Sequence, residues 1–210
     1  MTTLIEVVGD FVCPWCFIGE RRLKQALAGS HRPERYSIRW LPFELDPAMP
    51  AEGRERSSYR TQRFGSLERS MQMDQRATLA GREVGIEFRY DLITRVPNTT
   101  KAHLLAWRLG TNGAQAAAVD AIFRAYFLDG RDIGSTQTLL EIAQELGQPT
   151  EAVTALFDDP APLQELRKLE RQVASRGVAT VPSHILNRGE LVQGLDSLIS
   201  TIRQESHHAA

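Results

Sequence analysis

The sequence predicts an α/β protein whose sheet-forming part is split by a large all-helical insertion. Three observations carry this reading. The opening residues give strand, helix and strand signals in turn. Residues 57–176 are punctuated only as helices. Strand signals then return after Gly177 and lead into a last helix. Residues 1–56 and 177–210 therefore read as one discontinuous domain, interrupted by a helical domain at 57–176.

Leu4 to Val8 is a short apolar run ended by Gly9-Asp10, the mark of a buried strand. Pro14 suits a first helical position, and the helix it opens runs to Ala28, before Gly29-Ser30. Tyr36 to Leu41 alternates polar and apolar residues as a second strand, which Pro42 and Pro47 end. In the middle block Ser66, Thr99 or Thr100, Ser135 and Thr150 are N-caps, and Asn112 starts a helix that ends near Asp129-Gly130. A charged helix follows Pro160-Ala161-Pro162; Glu165, Arg167, Lys168, Glu170 and Arg171 read as its solvated face. Val181 to Leu186, the turn Asn187-Arg188-Gly189 and Glu190 to Gln193 form a hairpin, Asp196 caps the last helix, and His207-His208 read as a loose tail.

Composition narrows the function. The chain has 210 residues, 25 Lys+Arg against 26 Asp+Glu and 42% apolar content, enough to bury a core. A net charge of −1 gives no bulk attraction to nucleic acid or an anionic membrane, so neither is expected as a partner. The start lacks a basic signal region, Glu6 breaks its apolar run, and no stretch suits a membrane helix, so the sequence reads as cytoplasmic.

The 2 cysteines fall within one short motif, Cys13-Pro14-Trp15-Cys16, at the start of the first helix. Helical geometry places their Cα atoms about 5 Å apart, within reach of a disulfide. With Cys13 as N-cap, its sulfur would accept N–H bonds from Trp15 and Cys16 at the positive end of the helix dipole, which favours the thiolate. Cys13 is then the attacking thiol and Cys16, one turn further in, the shielded resolving thiol. Plain buried thiols and a metal site are the competing readings. Zinc wants four ligands, and His31, His103 and His184 are scattered singly as surface or hydrogen-bonded core residues, so no metal is expected.

The stretch from Cys13 to Gly19 resembles the active-site region of DsbA-like thioredoxin-fold oxidoreductases of the FrnE type. The resemblance continues through Trp40 to Pro47, Pro97-Asn98-Thr99 with Ala102-His103, Phe123 to Phe127, Asp132-Ile133, and Gly177-Val178 with Val181-Pro182. It implies a thioredoxin-like fold with a helical insertion, and a cis Val181–Pro182 bond facing the cysteines. The Val181 backbone would then pair with an extended substrate, with Pro14 and Trp15 also lining its site. By itself the sequence would make this proline a trans residue ending a loop. Asn98 reads equally as part of a loop closing over the pair and as a cap for the following helix. His184 stands where similar proteins carry a bulky apolar residue, and Gln193-Gly194-Leu195-Asp196 departs from the usual ending.

The resemblance implies a thiol–disulfide oxidoreductase acting on protein or small-molecule thiols and disulfides. It binds no cofactor, and glutathione or a thioredoxin system serves as redox partner. A glutathione-dependent transferase or isomerase is the alternative, since kappa-class glutathione transferases and 2-hydroxychromene-2-carboxylate isomerases are similar in overall pattern. Those proteins carry serine at the Cys13 position, so the cysteine favours disulfide chemistry. A non-catalytic binding or chaperone module has no positive signal in the sequence.

Overall fold

A computed structural model of the chain describes residues 2–187, 189–192 and 194–207. The opening is β1 (Thr3–Gly9), α1 (Pro14–Ala28) and β2 (Tyr36–Pro42). The close is β5 (Ser183–Leu186), β6 (Glu190–Val192) and α9 (Leu195–His207). Arg188 of the predicted turn, Gln193 and His208 lie outside the described residues, whereas His207 ends α9 and is no loose tail. The strands form one sheet in the order β2-β1-β5-β6. β1 and β2 run parallel, with Val7 beside Trp40, and β5 returns antiparallel, with Val7 beside His184.

Between these parts lie β3 (Arg54–Glu55), α2 (Arg56–Phe64), α3 (Leu67–Arg82), β4 (Arg95–Val96), α4 (Thr100–Gly110), α5 (Gln115–Phe127), α6 (Thr136–Glu145), α7 (Thr150–Asp158) and α8 (Pro160–Ser175). The β3–β4 pair is the departure from an all-helical insertion: two residues on each side make an antiparallel ladder that anchors the start of α2. Side-chain caps set several helix starts but not that of α7, where Pro149 holds the cap position and the expected cap, Thr150, is the first helical residue. The Ser66 hydroxyl accepts from the Arg69 N–H at 3.1 Å, and Asp159 accepts from the Ala161 N–H at 2.9 Å. Pro160 thus belongs to the first turn of α8 instead of preceding it. The helix expected from Asn112 starts three residues later, at Gln115. Gly65 closes α2 at a φ of 88°, a left-handed conformation that glycine adopts freely.

Two faces of the sheet bury different partners. Ile5 and Val7 point into the larger core with Leu23 of α1 and with Leu198 and Ile202 of α9. Val8, Leu41 and Ile185 point the other way, onto Val173 of α8 and Val178. An aromatic stack joins the insertion to the sheet: Phe17 lies parallel to Phe123 at 5.0 Å, and Phe11 packs on Trp40 at 5.4 Å. Each such ring contributes about 1.5–3 kcal/mol when fully buried. The free edge of β2 is met by the Gln115 side chain, which accepts from the Trp40 N–H at 2.8 Å and donates to the Trp40 carbonyl at 3.2 Å. An amide here does what another strand would do, and it docks α5 against the sheet.

The charged face assigned to α8 is only partly solvated. Arg167 donates to Glu44 at 2.6 Å, to Glu170 at 2.8 Å and to the Thr100 hydroxyl at 3.1 Å. Burial pushes the Glu170 carboxyl above its ordinary value, against the pull of Arg167. Arg176, just after α8, reaches Glu6 of β1 at 2.7 Å; Glu6 is 1% exposed and also meets Arg39 at 3.4 Å. The Arg167–Glu170 pair has the i,i+3 spacing of a helix face, but periodicity could not reveal the contacts to Glu44, Thr100 and Glu6, which lie far away along the chain.

Candidate active site

β1 ends at Gly9, and the four residues that follow turn the chain into α1. The Cys13 N–H donates to the Asp10 carbonyl at 3.1 Å, which closes that turn. Cys13 is the N-cap of α1 and Pro14 its first residue. The Cys13 carbonyl accepts from the N–H groups of Cys16 at 3.1 Å and Phe17 at 3.4 Å. The expected sulfur cap is absent: the Cys13 side chain makes no capping hydrogen bond. Both thiols are free.

Exposure grades the motif. Cys16 is fully buried, Cys13 retains 6% of its surface, and Trp15 stands out at 42%. Burial pushes the Cys16 thiol well above its ordinary value. The hydrogen bond and charge shared with Cys13 add to this, a backbone hydrogen bond from Asp10 opposes it, and the Asp10 charge adds again. Gly9 makes room for the sulfur: a Cβ at that position would sit 3.1 Å from the Cys16 sulfur and 2.4 Å from the Trp40 ring.

Beneath the motif lies a buried acid, which in the sequence alone marks only the end of a strand. Asp10, 1% exposed, accepts from the Leu45 N–H at 2.7 Å, and the His103 imidazole lies 3.3 Å from its other oxygen. His103 comes from α4, is itself 1% exposed, and packs its ring on Phe11 at 4.8 Å. The insertion thus reaches under the cysteine turn. One hint was available: Ala102-His103 belonged to the resembling blocks, although 93 residues separate His103 from Asp10.

The Val181–Pro182 bond is cis. Pro182 packs on Gly19 of α1, 3.5 Å from where a Cβ would be, one turn beyond Cys16. Val181 beside it is half-buried. Asn98 lies elsewhere: its amide donates to the Met49 carbonyl at 2.7 Å and its oxygen accepts from the Thr100 N–H at 3.0 Å. It caps α4, where the Thr99 side chain does not, and it ties the loop before β3 to that helix. Its neighbours Pro97 and Thr99 do line a cavity beside Pro14. His184 is buried at 1% exposure, yet neither ring nitrogen has a hydrogen-bond partner, contrary to the expected hydrogen-bonded core histidine.

The architecture is that of a thioredoxin-like sheet carrying a helical insertion, with a cysteine pair at the start of its first helix. The chain belongs to the DSBA-like thioredoxin domain family, whose model matches residues 4–202. Its fold is similar to a probable DsbA oxidoreductase from Streptomyces coelicolor, with 27% identity, a TM-score of 0.85, and 96% of this chain and 89% of that one covered. It is also similar to a 2-hydroxychromene-2-carboxylate isomerase, at 15% identity and a TM-score of 0.73 over 98% and 96% of the two chains. A cytosolic disulfide reductase, DsbM from Pseudomonas aeruginosa, solved with glutathione, matches at 22% identity and a TM-score of 0.66 over 96% and 98%. Among the described residues no helix is long and apolar enough to cross a membrane, and no three His, Cys, Asp or Glu side chains gather as a metal site would require.

Proposed function

We propose that the protein is a dithiol–disulfide oxidoreductase in which Cys13 exchanges with substrate and Cys16 resolves. The observation that carries this is the graded pair itself: two free thiols one helical turn apart at the start of α1, the inner one sealed from solvent. In the reducing direction the Cys13 thiolate attacks a substrate disulfide, and the departing sulfur leaves as a thiolate that takes up a proton. Cys16 then gives up its proton and attacks the Cys13 sulfur of the mixed disulfide. The second substrate sulfur is released as a thiol, and the protein is left with a Cys13–Cys16 disulfide. The substrate has gained two electrons and the pair has lost two. The reverse sequence donates the disulfide.

Pro14, Trp15, Val181 and Pro182 form the substrate-facing surface in this reading, and Asn98 positions the neighbouring loop. Residues 1–56 with 177–210 carry the pair, and the insertion at 57–176 covers it. The substrates are protein or small-molecule thiols and disulfides. Glutathione or a thioredoxin system in the cytoplasm resets the pair; the glutathione in the related disulfide reductase structure supports that choice. A glutathione-dependent isomerase is the second reading, favoured by the likeness to the chromene-carboxylate isomerase.

Two variants separate these readings. Cys13→Ser abolishes reduction of a small disulfide by the protein, and Cys16→Ser accumulates a mixed disulfide with glutathione that mass spectrometry detects. Full exchange activity in Cys13→Ser, or no trapped adduct in Cys16→Ser, contradicts the assigned roles.

A further inference from the structure

A cavity of about 70 Å³ opens beside Pro14, between the cysteine turn and the insertion. A water needs roughly 10–15 Å³ of such space, so the cavity exceeds the room for a single solvent molecule. Its walls are chemically divided. Val12, Pro14 and Ile93 are apolar, whereas Arg56, Arg60 and Tyr90 meet at one corner.

That corner carries two guanidinium groups, and Arg60 also donates to the Ser70 hydroxyl at 2.7 Å and to the Ser70 carbonyl at 3.2 Å. Arg56 and Arg60 both direct a guanidinium at one carboxylate, Asp74, at 2.6 and 2.7 Å. All three side chains are about 15% exposed, so solvent does little to screen the second positive charge. Arg56 stacks over the Tyr90 ring at 5.1 Å, and the Tyr90 hydroxyl is buried with no hydrogen-bond partner. Burial raises the Tyr90 hydroxyl far above its ordinary value, so it remains a donor at neutral pH, and burial lowers the Arg60 guanidinium despite Asp74. The acids that also line the cavity are engaged elsewhere: Asp10 by Leu45 and His103, and Asp46 by the Tyr59 hydroxyl and the Ala48 N–H. Arg63 at the rim donates to the Leu45 carbonyl at 3.4 Å.

We propose that this cavity binds a small organic monocarboxylate, with the carboxylate at the Arg56, Arg60 and Tyr90 corner and the apolar body against Val12, Pro14 and Ile93. The anion supplies an acceptor for the unpaired Tyr90 hydroxyl and a second negative charge beside two guanidinium groups that share Asp74. Its body lies next to the proposed exchange motif, yet the site stands on its own polar groups and does not depend on cysteine chemistry.

Isothermal titration calorimetry of the full chain with benzoate, at low ionic strength, tests this directly. Benzoate binds saturably with one site per chain, and the neutral isostere benzamide gives no measurable binding over the same range. Tyr90→Phe removes a hydroxyl that has no partner in the free protein, so the variant folds and binds benzoate about tenfold or more weakly. Arg60→Lys keeps the charge and loses the fork geometry, and it also weakens binding. Equal binding of benzoate and benzamide, unchanged affinity in Tyr90→Phe, or inorganic phosphate binding as well as benzoate would overturn the assignment. Because occupancy is the readout, the same titration on Cys13→Ser gives the wild-type affinity even if the exchange chemistry were wrong.

Discussion

His184→Leu removes an imidazole that the fold buries and leaves without partners. The residue sits on β5 between Val7 of β1 and Val192 of β6, 1% exposed, with both ring nitrogens unpaired. Burial pushes its pKa down from 6.5 to about 4, so the folded protein holds it neutral at neutral pH. As pH falls, the unfolded chain takes up this proton first. The contribution to stability is therefore complete above about pH 6.5, is lost progressively between about 6.5 and 4, and loses nothing further below that. At 1.36 kcal/mol per pH unit the loss amounts to about 3 kcal/mol. Leucine does not titrate, and it also removes a buried polar group left unpaired, which costs about 1–3 kcal/mol at any pH. Urea denaturation of both proteins at pH 7, 6, 5 and 4 measures the difference. Other titrating groups cancel in the comparison. The variant is more stable at pH 7, and its advantage grows by about 3 kcal/mol by pH 4. A constant advantage across the series, or a less stable variant at pH 7, would refute the reasoning.

Three further outcomes follow from the same structure. Gly9→Ala drives a methyl into the Trp40 ring and toward the Cys16 sulfur, so thermal denaturation shows a loss of about 1–3 kcal/mol, typical of overpacking. Arg176→Ala leaves Glu6 buried with only its longer contact to Arg39, and chemical denaturation reports a loss of about 1–3 kcal/mol. In Cys13→Ser the remaining thiol stays protonated by burial, so its alkylation rate in the folded protein, followed by mass spectrometry, stays low at pH 9 and rises only in more alkaline solution. A rate at pH 9 matching that of a free thiol would contradict the sealed position of Cys16.

How much of this was legible in the sequence depends on the range of the interaction. α1 was readable residue for residue, because Pro14 and Gly29 mark its ends through backbone chemistry that acts within a turn. The sheet was readable as strands, since Tyr36 to Leu41 alternates and the β5–β6 hairpin carries its own turn. The β3–β4 ladder was not, because two residues per strand, three of the four charged, show no period. The Asp10–His103 contact, the reach of Arg167 to Glu44, and the Arg56, Arg60 and Tyr90 corner each join distant segments, and nothing in the local pattern links them. The Cys13 cap failed for a different reason: the spacing permits a sulfur–backbone bond but does not fix the side-chain rotamer that would make it.

The central claim is that Cys13 and Cys16 form a reversible couple, and one equilibrium tests it most directly. The protein is incubated in buffers of graded reduced-to-oxidised glutathione ratio, quenched with acid, and its free thiols are trapped and counted. The account predicts a two-electron transition between a form with both thiols free and one with neither, and its midpoint states the direction of exchange relative to glutathione. Two free thiols at every ratio, or oxidation that ends only in glutathione adducts without an internal disulfide, would contradict it.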